Sequence, residues 1–160
     1  MITKTTLTAI RALVFLARHA RAGTLPPRRI AEALGESPTY MAKVTRALVK
    51  AGVLRAGKGV KGGVWLGRPA NEITLRSILE ACQGSLVGEY CQTDCDFDTI
   101  CSFHRAAAEL HQAVVGVLSR WTLAQLARRP EGTPGRKGIP CVMLGVTSGP
   151  APEVALRALR

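Results

Sequence analysis

The sequence predicts a mainly α-helical fold with a small β-wing, in which a winged helix-turn-helix domain is joined to a long dimerisation helix. Three observations carry that expectation. Two helical stretches, 28–35 and 37–51, follow one another with only a tight turn at Gly35 between them. Directly after them, a Gly- and Lys-rich turn flanked by short apolar runs (53–66) reads as a hairpin. Farther on, an apolar stripe runs from Ala106 to Leu126.

Taken in order, residues 5–20 form the first expected helix. Leu7, Ile10, Leu13, Val14 and Ala17 line one face, and Arg11 and Arg18 are expected to point away from it. The same stretch resembles a secretory signal in having Lys4 ahead of apolar residues. The two arginines and the helical spacing favour an amphipathic helix instead. No run reaches the roughly 18 uninterrupted apolar residues that a membrane helix needs, so no membrane partner and a cytoplasmic location are expected. "AGTLPP" (22–27) breaks the helix. "RRIAEALG" (28–35) follows as a short helix with Ile30, Ala33 and Leu34 inward. Ser37 is suited to cap the next helix, Pro38 to its first position, and Gly52 to its end. Met41, Val44 and Leu48 form its buried stripe, leaving Thr39, Tyr40, Lys43, Arg46 and Lys50 on the outer face.

Val53 and Leu54 begin a strand, 56–63 form a turn, and Val64 to Leu66 return. A further helix starts near Thr74, with Leu75, Ile78, Leu79 and Cys82 on one side. Residues 88–101 lack apolar periodicity and read as a loop. Ala106, Leu110, Val114, Val117, Leu118, Trp121 and Leu126 then stripe a helix of about 25 residues, long enough to require a partner copy. Beyond Arg129 the chain is dense in Pro and Gly and reads as a tail. The expected organisation is a winged domain over 1–70, a connecting helix and cysteine-rich loop over 71–101, a dimerisation helix over 102–129, and a flexible tail over 130–160.

Charge divides the chain in the same place. Residues 1–70 hold 13 of the 22 Lys and Arg but only Glu32 and Glu36 of the 11 acids, so the entire net charge of +11 lies there. Residues 71–160 are balanced. That asymmetry suggests a polyanion-binding module, with double-stranded DNA as the partner, joined to a neutral module with another task. Ser37, Thr39 and Tyr40 at the start of the 37–51 helix would approach bases or phosphates, with Lys43 and Arg46 one turn apart behind them. Arg28 and Arg29 open the preceding helix, where main-chain amides also favour phosphate. Lys58 and Lys61 belong to the hairpin tip. "GKGVKG" (57–62) matches a dinucleotide-binding spacing, but it opens no helix and lacks a βαβ context.

The five cysteines, in a compartment expected to be reducing, point to metal or redox chemistry before disulfides. "EYCQTDCDFDTICSFHR" (89–105) supplies Cys91, Cys95, Cys101 and His104, three thiolates and an imidazole, enough for a tetrahedral set. Zinc and iron–sulfur clusters both accept such ligands, and ligand type alone does not separate them. A structural zinc site without a sensing role is the alternative reading. Asp94, Asp96 and Asp98 read as keeping the loop hydrated, with an oxygen ligand as the less favoured role. Cys82 reads as a small buried hydrophobe, and Cys141 lies in the tail.

The order of these parts resembles the bacterial family of winged-helix regulators that includes the iron–sulfur cluster regulator IscR and the nitric-oxide sensor NsrR. The resemblance lies in "AIRALVFLARHA" (9–20), "RRIAEALGESPTYMAKVTRALVKAGVL" (28–54), "GKGVKGGVWLGRPANEITL" (57–75), the cysteine loop and "TLAQLA" (122–127). It implies a non-enzymatic transcriptional regulator, expected to be a repressor, acting as a homodimer with crossing long helices on a palindromic operator. It further implies an iron–sulfur cluster, two-iron by preference and four-iron as the second choice, held by Cys91, Cys95, Cys101 and His104. Tyr40, Lys43 and Arg46 would then serve the recognition helix, and Lys58 and Lys61 the wing. The sequence departs from the family pattern at three points. Only three residues separate Cys91 from Cys95, fewer than is usual. Leu7 and Thr8 stand where a relative places an acidic ligand, which favours His104 as the fourth. Ala42 replaces a glutamate seen early in some recognition helices.

Overall fold

A computed structural model describes residues 2–19, 23–59, 62–86 and 101–128. The described chain forms α1 (Lys4–Arg18), α2 (Pro27–Leu34), α3 (Pro38–Lys50), β1 (Leu54–Gly57), β2 (Gly63–Leu66), α4 (Leu75–Gln83), α5 (Ser102–Arg120) and α6 (Leu123–Ala127). The winged helix-turn-helix expected from the sequence is present. Cys91, Cys95, Lys61, Cys141 and the expected tail lie outside the described residues.

Each of four helices starts where local chemistry supplies a cap. Thr3, Ser37, Thr74 and Thr122 accept from the main-chain amides of Thr6, Tyr40, Ser77 and Gln125 respectively, satisfying donors that the first helical turn leaves free. Between α2 and α3, Gly35 adopts φ +66°, and the Glu36 amide returns to the Ala31 carbonyl at 2.9 Å. A left-handed residue there ends α2 abruptly and lets α3 begin almost at once, which is what a helix-turn-helix requires.

β1 and β2 pair antiparallel, with Leu54 opposite Leu66 and Gly57 opposite Gly63. Leu25, ahead of α2, adds a short third edge: its amide donates to Val64 at 3.0 Å and its carbonyl accepts from Val64 at 2.8 Å. Gly63 permits that approach, because a Cβ there would lie 2.7 Å from the Leu25 carbonyl carbon.

One core joins the helices to the hairpin base. Leu13, Ile30, Met41, Leu48, Leu54, Ile78, Leu79 and Leu123 are fully buried, and Leu118 is the one buried residue of α5. Burying these side chains rather than any helix propensity holds the short elements in place.

Several local expectations change. Ala33 is exposed and Ala31 takes its place inside, because the face of α2 toward the core is Ile30, Ala31 and Leu34. Arg11 does not point to solvent: its Nη2 donates to the Leu34 carbonyl at 3.3 Å and its Nη1 lies 3.8 Å from Glu36 Oε1. Arg18 also turns inward, donating from Nε to the Ala127 carbonyl at 2.9 Å at the end of α6. The long helix is 19 residues and stops at Arg120. Trp121 is extended, and a Thr122–Gln125 capping box starts α6 as a separate helix. The expected single stripe is in fact two faces. Leu118 enters the core, while Phe103, Leu110, Val117 and Trp121 stand out in solvent at 45–66% exposure.

Candidate functional site

The basic surface is built around α3. Ser37, Thr39, Lys43 and Arg46 are exposed, and neither Lys43 nor Arg46 enters an ion pair among the described residues. Arg29 and Lys58 are likewise exposed. Arg28 is exposed but lies 3.1 Å from Glu32, one turn along α2. That surface pair is weak enough for a phosphate to displace the carboxylate. Tyr40 differs from the sequence expectation of a fully outward residue. It is half-buried, and its hydroxyl donates to Thr5 Oγ1 at 3.2 Å.

The start of α3 is fastened from below. Thr8 Oγ1 donates to Glu36 Oε1 at 3.1 Å, and Arg11 approaches the same carboxylate. Glu36 immediately precedes the Ser37 cap, so α1 holds the end of α3 that carries Thr39 and Tyr40. Sequence reasoning missed this role for Thr8, Arg11 and Glu36. The signal was present in an acid that stands nearly alone within a basic segment.

The second constellation opens α5. Cys101 Sγ lies 3.1 Å from His104 Nδ1, so the two donors converge on one point at the helix start. Cys101 is exposed. Its thiol is held below the ordinary value by the main-chain amide of His104 first, then by the His104 ring. A cysteine at a helix N-terminus beside an imidazole is the setting that favours thiolate, the form that ligates metals. Cys82, half-buried on α4, is pushed the other way by burial. Among the described residues, no group of three or more His, Cys, Asp or Glu side chains gathers as a metal site. The structure therefore places Cys101 and His104 together, whereas Cys91 and Cys95 lie outside the described residues. The described donors, one exposed soft sulfur and one imidazole beside it, fit a thiolate-ligated group.

A basic helix behind a tight turn, flanked by a hairpin and set on a helical core, is the architecture of a DNA-binding regulator of transcription. No helix among the described residues is long and apolar enough to cross a membrane. The chain belongs to the Rrf2 family, whose description is "iron-dependent transcriptional regulator" and whose model matches residues 2–129. It is 31% identical over 135 residues to protein aau3 of Rhizobium meliloti, covering 81% of this chain and 87% of that one. It is 30% identical over 122 residues to the HTH-type transcriptional regulator IscR of Photobacterium profundum, covering 75% and 71%. Among solved structures it resembles CymR, the global cysteine regulator of B. subtilis (TM-score 0.66, 23% identity, 79% of this chain and 95% of that one). It also resembles T. potens IscR (TM-score 0.62, 24% identity, 82% and 93%). The likeness to these structures shows the fold. The family and the IscR relatives are regulators of transcription and not enzymes.

Proposed function

We propose that the chain is a cytoplasmic, homodimeric repressor whose hold on a palindromic operator depends on an iron–sulfur cluster carried by Cys91, Cys95, Cys101 and His104. The observation that carries this reading is the convergence of Cys101 Sγ and His104 Nδ1, 3.1 Å apart, at the start of α5. Likeness to IscR regulators and the iron-dependent description of the family support it. A two-iron cluster is preferred because three thiolates and an imidazole are at hand; a four-iron cluster is the second choice. When bound, such a group supplies iron–thiolate bonds that oxidant or nitric oxide can break.

The chain's own residues supply the rest. α5 begins at the ligand pair and enters the core through Leu118. At its end, the Trp121 carbonyl accepts from the Leu75 amide at 2.8 Å. α4 in turn packs on α1 and α3, so a change in how α5 starts reaches the recognition helix through packed elements. The solvent stripe of Phe103, Leu110, Val117 and Trp121, with Ala107 and Val114 between, recurs every three to four residues. That spacing suits a seam with a second copy of α5. Two recognition helices in one dimer would then meet successive major-groove faces, with Arg28, Arg29, Ser37, Thr39, Tyr40, Lys43, Arg46, Lys58 and Lys61 contacting DNA.

An absorption spectrum of protein purified without oxygen tests the reading, with iron, sulfide and zinc counted on the same sample. Visible thiolate-to-iron bands with matching iron and acid-labile sulfide are expected. Colourless protein carrying zinc would replace the sensor by a permanently closed structural site.

A further inference from the structure

The start of α1 carries Thr3 as its cap and Thr5, Thr6 and Thr8 just inside it, and the last three reach into different parts of the fold. Thr6 is fully buried, and its Oγ1 accepts from the Gln83 side-chain amide at 2.6 Å. Gln83 is the last residue of α4, directly ahead of the segment that holds Cys91 and Cys95. Thr6 Oγ1 also lies 3.0 Å from Thr3 Oγ1, a hydroxyl pair in which either oxygen can donate. Thr3 is the cap of α1 and accepts from the Thr6 amide at 3.2 Å. The end of α4 thereby fixes how α1 starts. Thr5, one residue back, accepts from the Tyr40 hydroxyl of α3, and Thr8 holds Glu36, the residue before the α3 cap.

We infer that Thr6 is a positioning residue that links the end of α4 to the reading end of the recognition helix, with Gln83 as input and Tyr40 and Glu36 as outputs. Thr6 is buried whereas Gln83 is exposed, so the Thr6 hydroxyl bears the cost of an unmade bond, and leaving a buried polar group unpaired costs more than one bond gains. A shift of Gln83 therefore leaves the buried Thr6 hydroxyl to take another partner at the start of α1, and the Tyr40 and Glu36 anchors on Thr5 and Thr8 move with it. The inference rests on α3 as the DNA-reading helix and on no particular metal.

Hydrogen exchange on the full-length protein, read by peptide across α1, α2, α3 and the hairpin, tests it without DNA. Gln83→Leu and Thr6→Val each remove one half of the Gln83–Thr6 bond at similar size. Both are expected to accelerate exchange several-fold at the Met41 and Ala42 amides of α3, with α2 and the hairpin unchanged. Thr6→Ser, which keeps the hydroxyl, is expected to restore slow exchange. Faster exchange confined to the ends of α1 and α4 would overturn the link, since the effect would stop short of α3. Uniform acceleration across α1 to α4 would overturn it too, because it would mean lower global stability and no directed path. Affinity of the unmodified chain for duplexes drawn from a randomised library reads the DNA-binding role separately, so the two failures are distinguishable.

Discussion

Thr74 and Thr122 face each other across an isolated antiparallel bridge, and each caps the helix that follows it. The main-chain bonds run both ways: the Leu75 amide donates to the Trp121 carbonyl and the Leu123 amide to the Ile73 carbonyl, both at 2.8 Å. One small polar joint therefore sets the start of α4, the end of α5 and the start of α6. It lies at the point where α5 leaves the core, since Leu118 is the last side chain that anchors the helix from within.

Thr122→Ala tests the value of that joint. The substitution removes the hydroxyl that accepts from the Gln125 amide and half of the capping box. Stability should fall by about 1 kcal/mol in reversible chemical denaturation, and Thr122→Ser should keep most of it. A loss equal for Ala and Ser would mean the methyl group matters and the cap does not.

Gly63→Ala probes the hairpin from the other side. A Cβ at position 63 would meet the Leu25 backbone at 2.7 to 3.0 Å, and backbone cannot swing aside as a side chain can. The expected result is a destabilisation of roughly 1–3 kcal/mol, the usual cost of forcing extra volume into a packed site. Amide exchange of Leu25 and Val64 should accelerate in step. Unchanged protection at both residues would show that the third edge contributes nothing to the wing.

The helix-turn-helix was legible because its signals are local. Ser37 and Pro38 start α3, Gly35 ends α2, and the apolar period fixes Met41, Val44 and Leu48 inward, all of which the fold keeps. The break at Trp121 was also written locally, in Thr122 and Gln125, but the apolar stripe ran straight through it and suggested one continuous helix. Arg11 and Arg18 misled for a different reason. Their inward course depends on Leu34, Glu36 and Ala127, partners that sequence spacing does not bring into view. The half-buried state of Tyr40 follows from Thr5, 35 positions away. At the candidate metal site, Cys101 and His104 were legible together because three residues of helix put them on one side.

Lys43→Ala combined with Arg46→Ala tests the groove assignment. Both side chains are exposed on α3 and enter no ion pair among the described residues, so removing them costs the fold little. Affinity for an operator duplex should drop, and the slope of log affinity against log salt should flatten by about 0.9 for each phosphate that the variant no longer neutralises. Thermal stability should stay within about 0.5 kcal/mol of the parent, as for other surface substitutions. A weakened affinity with an unchanged salt slope would move these residues from phosphates to bases, and no change in either would remove α3 from the groove.

His104→Ala separates the ligand role from the fold. The ring sits on the third residue of α5, only partly buried, and its polar contact with Cys101 is local. It is not among the side chains that build the core, so far-ultraviolet circular dichroism and the unfolding midpoint should hardly change. Removing the imidazole also removes the ring that helps hold the Cys101 thiol low. Under the cluster reading, protein isolated without oxygen should therefore retain less iron and sulfide, with its visible bands weakened or shifted. His104→Cys, which restores a soft donor at the same position, should recover iron content with a different spectrum. If His104→Ala keeps both the parental spectrum and the parental reduction potential, the fourth ligand is another residue and the pairing with Cys101 is only a helix-start contact.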